Sequence, residues 1–295
     1  MDIRELRYFV AVAEELHFGK AAQRLGIAQP PLSRTITQLE RRLGIALLER
    51  NSRKVTLTKA GAVLVAEGRS ILSALTAAER RTREAATEHP SLVLAAKSGT
   101  VGELLTKLLD AYAAEPGAVT VDLLLCEAHQ HQRLLQEGQA DVALLHLPFD
   151  SAAGLDTEPL YTEEQVAILP ASHPLASRSQ VRLADVATLP ELPMARWPAP
   201  GGGYPDGPGA EVRSLTQLFQ LIALGRTTAV IPESAGTDLR RDLAAVPVLD
   251  APPVTTVIAW PTLSRLRTLA DLIRVATRLS RTEMTATQRQ PRSNN

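Results

Sequence analysis

Residues 18–42 read FGKAAQRLGIAQPPLSRTITQLERR, and this stretch decides the fold of the N-terminal part of the chain. Ala21, Ala22 and Leu25 put small and apolar side chains on one face of a short helix, and Gly26 sits where the chain must turn. Pro30 and Pro31 fit only the first turn of a second helix, where a missing N–H costs nothing. Leu32, Ile36, Leu39 and Leu43 follow at helical spacing and form an inward stripe. The opposite face carries Ser33, Arg34, Thr37, Gln38 and Arg41, hydrogen-bonding and cationic groups of the kind that reach base edges and phosphates in a major groove. Two short helices, a glycine turn and a polar second helix predict a helix-turn-helix. A plain helical hairpin with a solvated face has the same pattern, so the flanking sequence must decide.

Ile3, Leu6, Phe9, Val10 and Ala13 in residues 2–15 predict a first helix that completes a three-helix core. After Gly44, two short apolar segments flank the turn-forming pair Asn51-Ser52, which predicts a β-hairpin wing. Its tip carries Arg50, Arg53 and Lys54, cations suited to a phosphate backbone. The unit so defined spans residues 1–58. Thr58 then caps a long helix over 59–89, in which Leu64, Gly68, Ile71, Leu75 and Ala78 recur as a short heptad seam. A helix of that length outside a domain needs a partner, and a second copy of the chain would place two recognition helices on one duplex.

Charge follows the same division. Residues 1–90 hold 15 Lys/Arg against 10 Asp/Glu, a balance of +5, while the remaining residues hold 17 against 22, or −5. The cationic half contains the helix-turn-helix, which fits a polyanionic partner. The one cysteine, Cys126, excludes an intramolecular disulfide and any multi-cysteine metal or iron–sulfur site. The N-terminus lacks the apolar core of a signal peptide, no run approaches the ~18 apolar residues of a membrane span, and a cytoplasmic location without membrane association is expected.

From His89-Pro90 onward short apolar runs alternate with helical segments, which predicts an α/β domain over 90–280 with parallel pairing. Strands are expected at 92–96, 119–125, 142–145, 165–169, 227–231, 246–249 and 254–259. Helices are expected at 100–114, 130–137, 184–189, 214–224 and 263–280. The tail 281–295 has too little apolar content to fold and is expected to be disordered.

With these segments in hand, the chain resembles the LysR-type transcriptional regulators over nearly its whole length. The stretch from LRYFVAVAEELHFGKAAQRLGIAQPPLSRTITQLERR to VTLTKAG is similar to the winged helix-turn-helix of that family, including Gln29, Ser33, Leu39-Glu40 and Leu57-Thr58-Lys59-Ala60-Gly61. LLQEGQADVALL, LPASHPLA and LIALGRTTAVIPES are similar to three landmarks of its effector domain, in the right order. The resemblance implies a multi-domain α/β protein whose effector domain has the type II periplasmic-binding-protein architecture. Subdomain I would comprise about 90–160 and 255–280, subdomain II about 161–254, with a small ligand in the cleft. It implies a cytoplasmic regulator that binds double-stranded DNA as a homodimer or homotetramer and responds to a small-molecule effector, with RNA polymerase as a further partner and no cofactor.

The DNA-contacting candidates are Phe18, Lys20, Gln29, Pro30, Pro31, Ser33, Arg34, Thr37, Gln38, Arg41, Arg50, Arg53 and Lys54. Strand ends and helix amino ends bind anions in such domains. The resemblance puts the loops with Ser98, Gly99 and Thr100 and with Ala128 and His129 at the effector cleft, with His146, Met194, Arg196 and Trp197 on the facing walls. Ser98 and Thr100 read equally as helix caps, and Arg196 as a solvated side chain. Oriented N–H donors, a hydroxyl, a guanidinium and an aromatic wall together suit a small organic anion.

The chain departs from the family between Pro193 and Ser214, where MARWPAPGGGYPDGPGAEVR replaces a longer segment containing a helix; the glycines and prolines forbid a regular helix, leaving a trimmed loop or a lid. His129 and His131 with Cys126 nearby suggest a metal site, but residues two apart on a helix point away from each other, and none is expected. His17 reads as a packing or phosphate contact. A solute-binding protein would need export, an architectural DNA protein would not need the α/β domain, and no catalytic constellation supports an enzyme.

Overall fold

The computed structural model describes residues 1–50, 55–86, 90–97, 102–127, 129–199, 203–237 and 239–287. Three helices, α1 (Ile3–Glu15), α2 (Phe18–Arg24) and α3 (Gln29–Leu43), precede the hairpin strands β1 (Leu48–Arg50) and β2 (Val55–Leu57). Asp2 and Glu5 form a reciprocal capping box at the start of α1, each bond 2.8 Å. Phe9, Ala21, Leu32, Ile36 and Leu39 meet in the core of this unit, without a ring or methyl exposed. Ile3 and Leu43, expected in that core, are exposed because each lies at a helix end beyond the reach of the other two helices. Glu40 fixes the wing to α3: its carboxylate accepts the backbone N–H groups of Leu47 at 2.9 Å and Leu48 at 3.1 Å. The turn residues Asn51, Ser52, Arg53 and Lys54 lie outside the described residues, as does the side chain of Arg50.

Thr58 caps the long helix α4 (Lys59–Ala85) as expected, its Oγ accepting from the Gly61 N–H at 2.9 Å. The helix finds partners within its own chain. Gly68 packs on Leu6 and Val10 of α1, Ser73 Oγ donates to the Leu135 carbonyl at 2.6 Å, and Arg80 pairs with the buried Asp141 at 2.5 Å. Gly138 holds a left-handed φ of 66°, and a Cβ there would lie 2.5 Å from the Ser73 carbonyl oxygen, so only glycine lets the helix dock this closely. Gly68 thus faces α1 and leaves the predicted seam, while Leu64, Ile71 and Leu75 stay partly exposed and Ala78 exposed. By length and average apolarity residues 59–83 would also pass for a membrane span. Glu67, Arg69 and Glu79 along it, and two domains docked on it, give this helix a different use.

Subdomain I holds a five-stranded sheet in the order β4-β3-β5-β10-β6, with β3 (Ser91–Lys97), β4 (Thr120–Cys126), β5 (Val142–Leu147), β6 (Leu155–Glu163) and β10 (Val254–Pro261). β3 pairs in parallel with β4 and β5, and β10 runs antiparallel to β5 and β6. Helices α5 (Gly102–Ala113) and α9 (Arg267–Thr287) cover one face through Leu108, Tyr112, Leu272 and Val275; α6 (His131–Gln136) covers the other. β6 and β10 cross between the subdomains.

Subdomain II is built on β8-β7-β9, from β7 (Gln165–Pro170), β8 (Ala229–Pro232) and β9 (Leu243–Pro247), with α7 (Leu183–Ala187) and α8 (Leu215–Ala223). Here the expected parallel pairing is wrong: both neighbours of β7 are antiparallel. The described residues of 188–214 form no helix, and α8 leads into β8, which starts at Ala229 opposite Ile168, near the end where β7 stopped. The tail expectation is corrected for 281–287, since α9 continues to Thr287, while 288–295 lie outside the described residues. Extending a formed helix needs no apolar side chains, only the absence of proline and glycine, and 281–287 contains neither.

Candidate functional site

On the N-terminal unit, Lys20, Gln29, Pro30, Pro31, Arg34, Thr37, Gln38 and Arg41 are all exposed, the last seven along the outer face of α3 or its first turn. Ser33 is half-buried, and Thr37 donates its hydroxyl to the Ser33 carbonyl at 3.0 Å, leaving its lone pairs outward. Phe18 packs partly against the core, so its ring supports the helices more than it offers a surface. His17 is exposed rather than packed: its Nδ1 accepts from the N–H groups of Gly19 and Lys20 at 3.1 and 3.3 Å and caps α2.

The second site is a cavity of about 660 Å³ between the two subdomains. It opens where β3, β4 and β5 end, at Lys97, Cys126 and His146, as a doubly wound sheet requires. Subdomain II closes it with Met194, Trp197, Arg213 and Ser214, and with Val230 and Ile231 of β8. Four predicted residues, His129, His146, Met194 and Trp197, come together here. Ser98, Gly99, Thr100 and Ala128 lie outside the described residues.

Arg196 does not line the cavity. Its guanidinium donates to the carbonyls of Gly209 and Pro205, both at 2.7 Å, and pairs with Glu211 at 3.1 Å, clamping the glycine-proline loop from within. The cation at the cleft is Arg213, whose Nε donates to Tyr204 Oη at 3.0 Å; that bond raises its pKa further. Beside it Ser214 caps α8, accepting from the Gln217 N–H at 3.3 Å, so a helix amino end faces the cavity. Lys97 enters from the opposite subdomain. Both cations could have been found: Lys97 ends an apolar strand and Arg213 precedes a capping Ser-x-x-Gln.

Behind Lys97 lies Asp150, almost completely buried, which accepts from Lys97 Nζ at 3.3 Å and from the His146 backbone N–H at 2.9 Å. Burial opposes its charge, but the His146 ring, Lys97 and His131 hold its carboxyl well below the usual range. The Nδ1 atoms of His129, His131 and His146 all stand 3.8–3.9 Å from its oxygens. His129 is not on the helix but in a left-handed turn with φ 63°, which aims it at Asp150 alongside His131. The two rings therefore converge. Among the described residues, however, no three His, Cys, Asp or Glu side chains have a geometry that could hold a metal ion. Burial pushes the Cys126 thiol up to about 11, which leaves it a poor nucleophile.

A cation-bearing helical reader joined by a long helix to a two-lobed ligand cleft is the build of a transcriptional regulator that senses a small molecule. Family models for the bacterial regulatory helix-turn-helix protein of the lysR family and for the LysR substrate binding domain match residues 3–62 and 85–279, and the chain belongs to the LysR family. It is 32% identical over 247 residues to the transcriptional regulator AlsR of Bacillus subtilis, covering 80% of this chain and 82% of that one. It is 32% identical over 297 residues to IlvR of Caulobacter vibrioides, covering 94% and 98%. The crystal structure of full-length BenM superposes with a TM-score of 0.52 at 27% identity over the full length of both chains. These relatives are regulators and not enzymes.

Proposed function

We propose that the protein acts in the cytoplasm as a homodimer or homotetramer that binds double-stranded promoter DNA through α3 and the wing, and that a small organic anion in the cleft alters its grip. RNA polymerase is the partner such a DNA-bound regulator would meet. The observation that carries the reading is the cavity itself: an apolar chamber of about 660 Å³ with Lys97 on one subdomain and Arg213 on the other. An anion bridging the two cations would favour one subdomain arrangement over another, and only such unequal affinity can shift a conformational equilibrium. An architectural DNA protein would gain nothing from this chamber.

Calorimetry of the full chain against small aromatic and aliphatic carboxylates, each matched with its neutral amide, tests the reading. At least one acid is expected to bind, its amide to bind at least tenfold more weakly, and Arg213→Ala and Trp197→Ala each to weaken the acid about tenfold, or ~1.4 kcal/mol. Amides that bind as well as acids would remove the anion from the account.

A further inference from the structure

A second, smaller cavity of about 180 Å³ lies behind the cleft, between the linker helix and the effector domain. Its lining is mainly polar. Asp150 and His131 form the inner wall, Arg69 of α4 and Arg133 of α6 the outer, and His129 separates it from the cleft.

The inner wall is unsatisfied. Asp150 Oδ1 and both ring nitrogens of His131 are buried without a hydrogen-bond partner. Such groups are costly to leave unpaired, so a polar occupant is called for. Burial pushes the His131 ring down to about 4 and the His129 ring downward too, so near neutral pH each ring carries a lone pair beside a carboxylate. Two imidazole acceptors and a carboxylate oxygen at one spot favour an ammonium group. The outer wall has the opposite preference. Among the described residues, Arg69 spends its Nε on Glu14 at 2.9 Å and bonds through neither of its other two nitrogens, while Arg133 makes no ion pair. Guanidinium groups so placed favour a carboxylate.

We propose that this cavity binds the zwitterion of a small α-amino acid, its ammonium on Asp150, His129 and His131 and its carboxylate on Arg69 and Arg133. The volume suits a small amino acid such as glycine, alanine or serine. Occupancy would be felt at the DNA-binding unit, because Glu14 also pairs with Arg24 of α2 at 2.7 Å. The site lies apart from the cleft and shares only His129 with its lining, while Lys97 of the cleft pairs with the far oxygen of Asp150.

Calorimetry of the full chain with glycine, alanine and serine, and with acetate and methylammonium as the two half-ligands, tests the proposal. At least one amino acid is expected to bind in the millimolar range or tighter, and neither half-ligand measurably. Arg133→Ala, at an exposed position that folding does not need, and Arg69→Ala are each expected to weaken binding about tenfold, while Trp197→Ala leaves it unchanged. Absence of binding by all three amino acids, binding indifferent to both arginine variants, or binding abolished by Trp197→Ala would each overturn the site.

Discussion

Replacing Ile71 and Leu75 together by aspartate is expected to give monomers that lose at least a hundredfold in operator affinity. Both side chains lie on α4, and within one chain each is only partly covered, although Gly61, Val65 and Gly68 on the adjacent stripe are buried. A partly exposed apolar row on a helix already docked at two other places is what a second copy would cover, and a pair of aspartates there would bury charge without partners. Linked half-sites gain roughly 10²–10⁴ in avidity over single ones, so loss of the dimer removes far more affinity than any one base contact. Sedimentation and fluorescence anisotropy on a duplex operator measure both effects. A double variant that remains dimeric would move the assembly contact away from α4.

Stability is expected to fall by on the order of 3 kcal/mol as pH drops from the unfolded histidine pKa of ~6.5 to about 4, because of His131 alone. The ring is buried and neutral in the folded protein, whereas in the unfolded chain it takes up a proton throughout that window. The unfolded state then binds more protons, so stability is full above the unfolded pKa and is lost as pH falls toward the folded one. The depressed carboxyl of Asp150 acts in a lower window: its contribution is present above the unfolded carboxylate pKa of ~3.9 and is lost as pH falls below that. Urea unfolding at a series of pH values should therefore show a slope between the two histidine limits that His131→Asn flattens. An unchanged slope in that variant would place the titration elsewhere.

The N-terminal unit was legible because its signals agree: proline at the first turn of α3, apolar residues at helical spacing, and glycine at both turns. The effector domain was less so, for reasons that lie in particular residues. β6 went unread because LDTEPLYTE alternates charges with a proline, and only as an edge strand can that segment tolerate Pro159. The antiparallel sheet of subdomain II depends on where an irregular loop carries the chain, which periodicity does not record. Arg196 looked like a ligand-binding arginine beside Trp197, but the carbonyls that bind it belong to residues nine and thirteen positions later. The convergence of His129 and His131 turned on one backbone angle: a left-handed φ at a non-glycine residue has no reliable mark in sequence. The family resemblance, with strand ends as its physical reason, put His129, His146, Met194 and Trp197 at the cleft, and all four line it, while Lys97 and Arg213 were found only in the structure.

The most direct test is selection of bound duplexes from a random pool by the purified full-length protein, beside its Arg34→Ala variant. Arg34 is exposed on the outer face of α3, where a guanine contact is worth ~1–3 kcal/mol. The wild-type chain is expected to enrich a sequence with two related half-sites, and the variant to lose preference at one position in each half while keeping its salt-dependent background binding. Enrichment of no sequence, or the same sequence enriched equally by the variant, would contradict the assignment of α3 as the reading helix of a dimeric regulator.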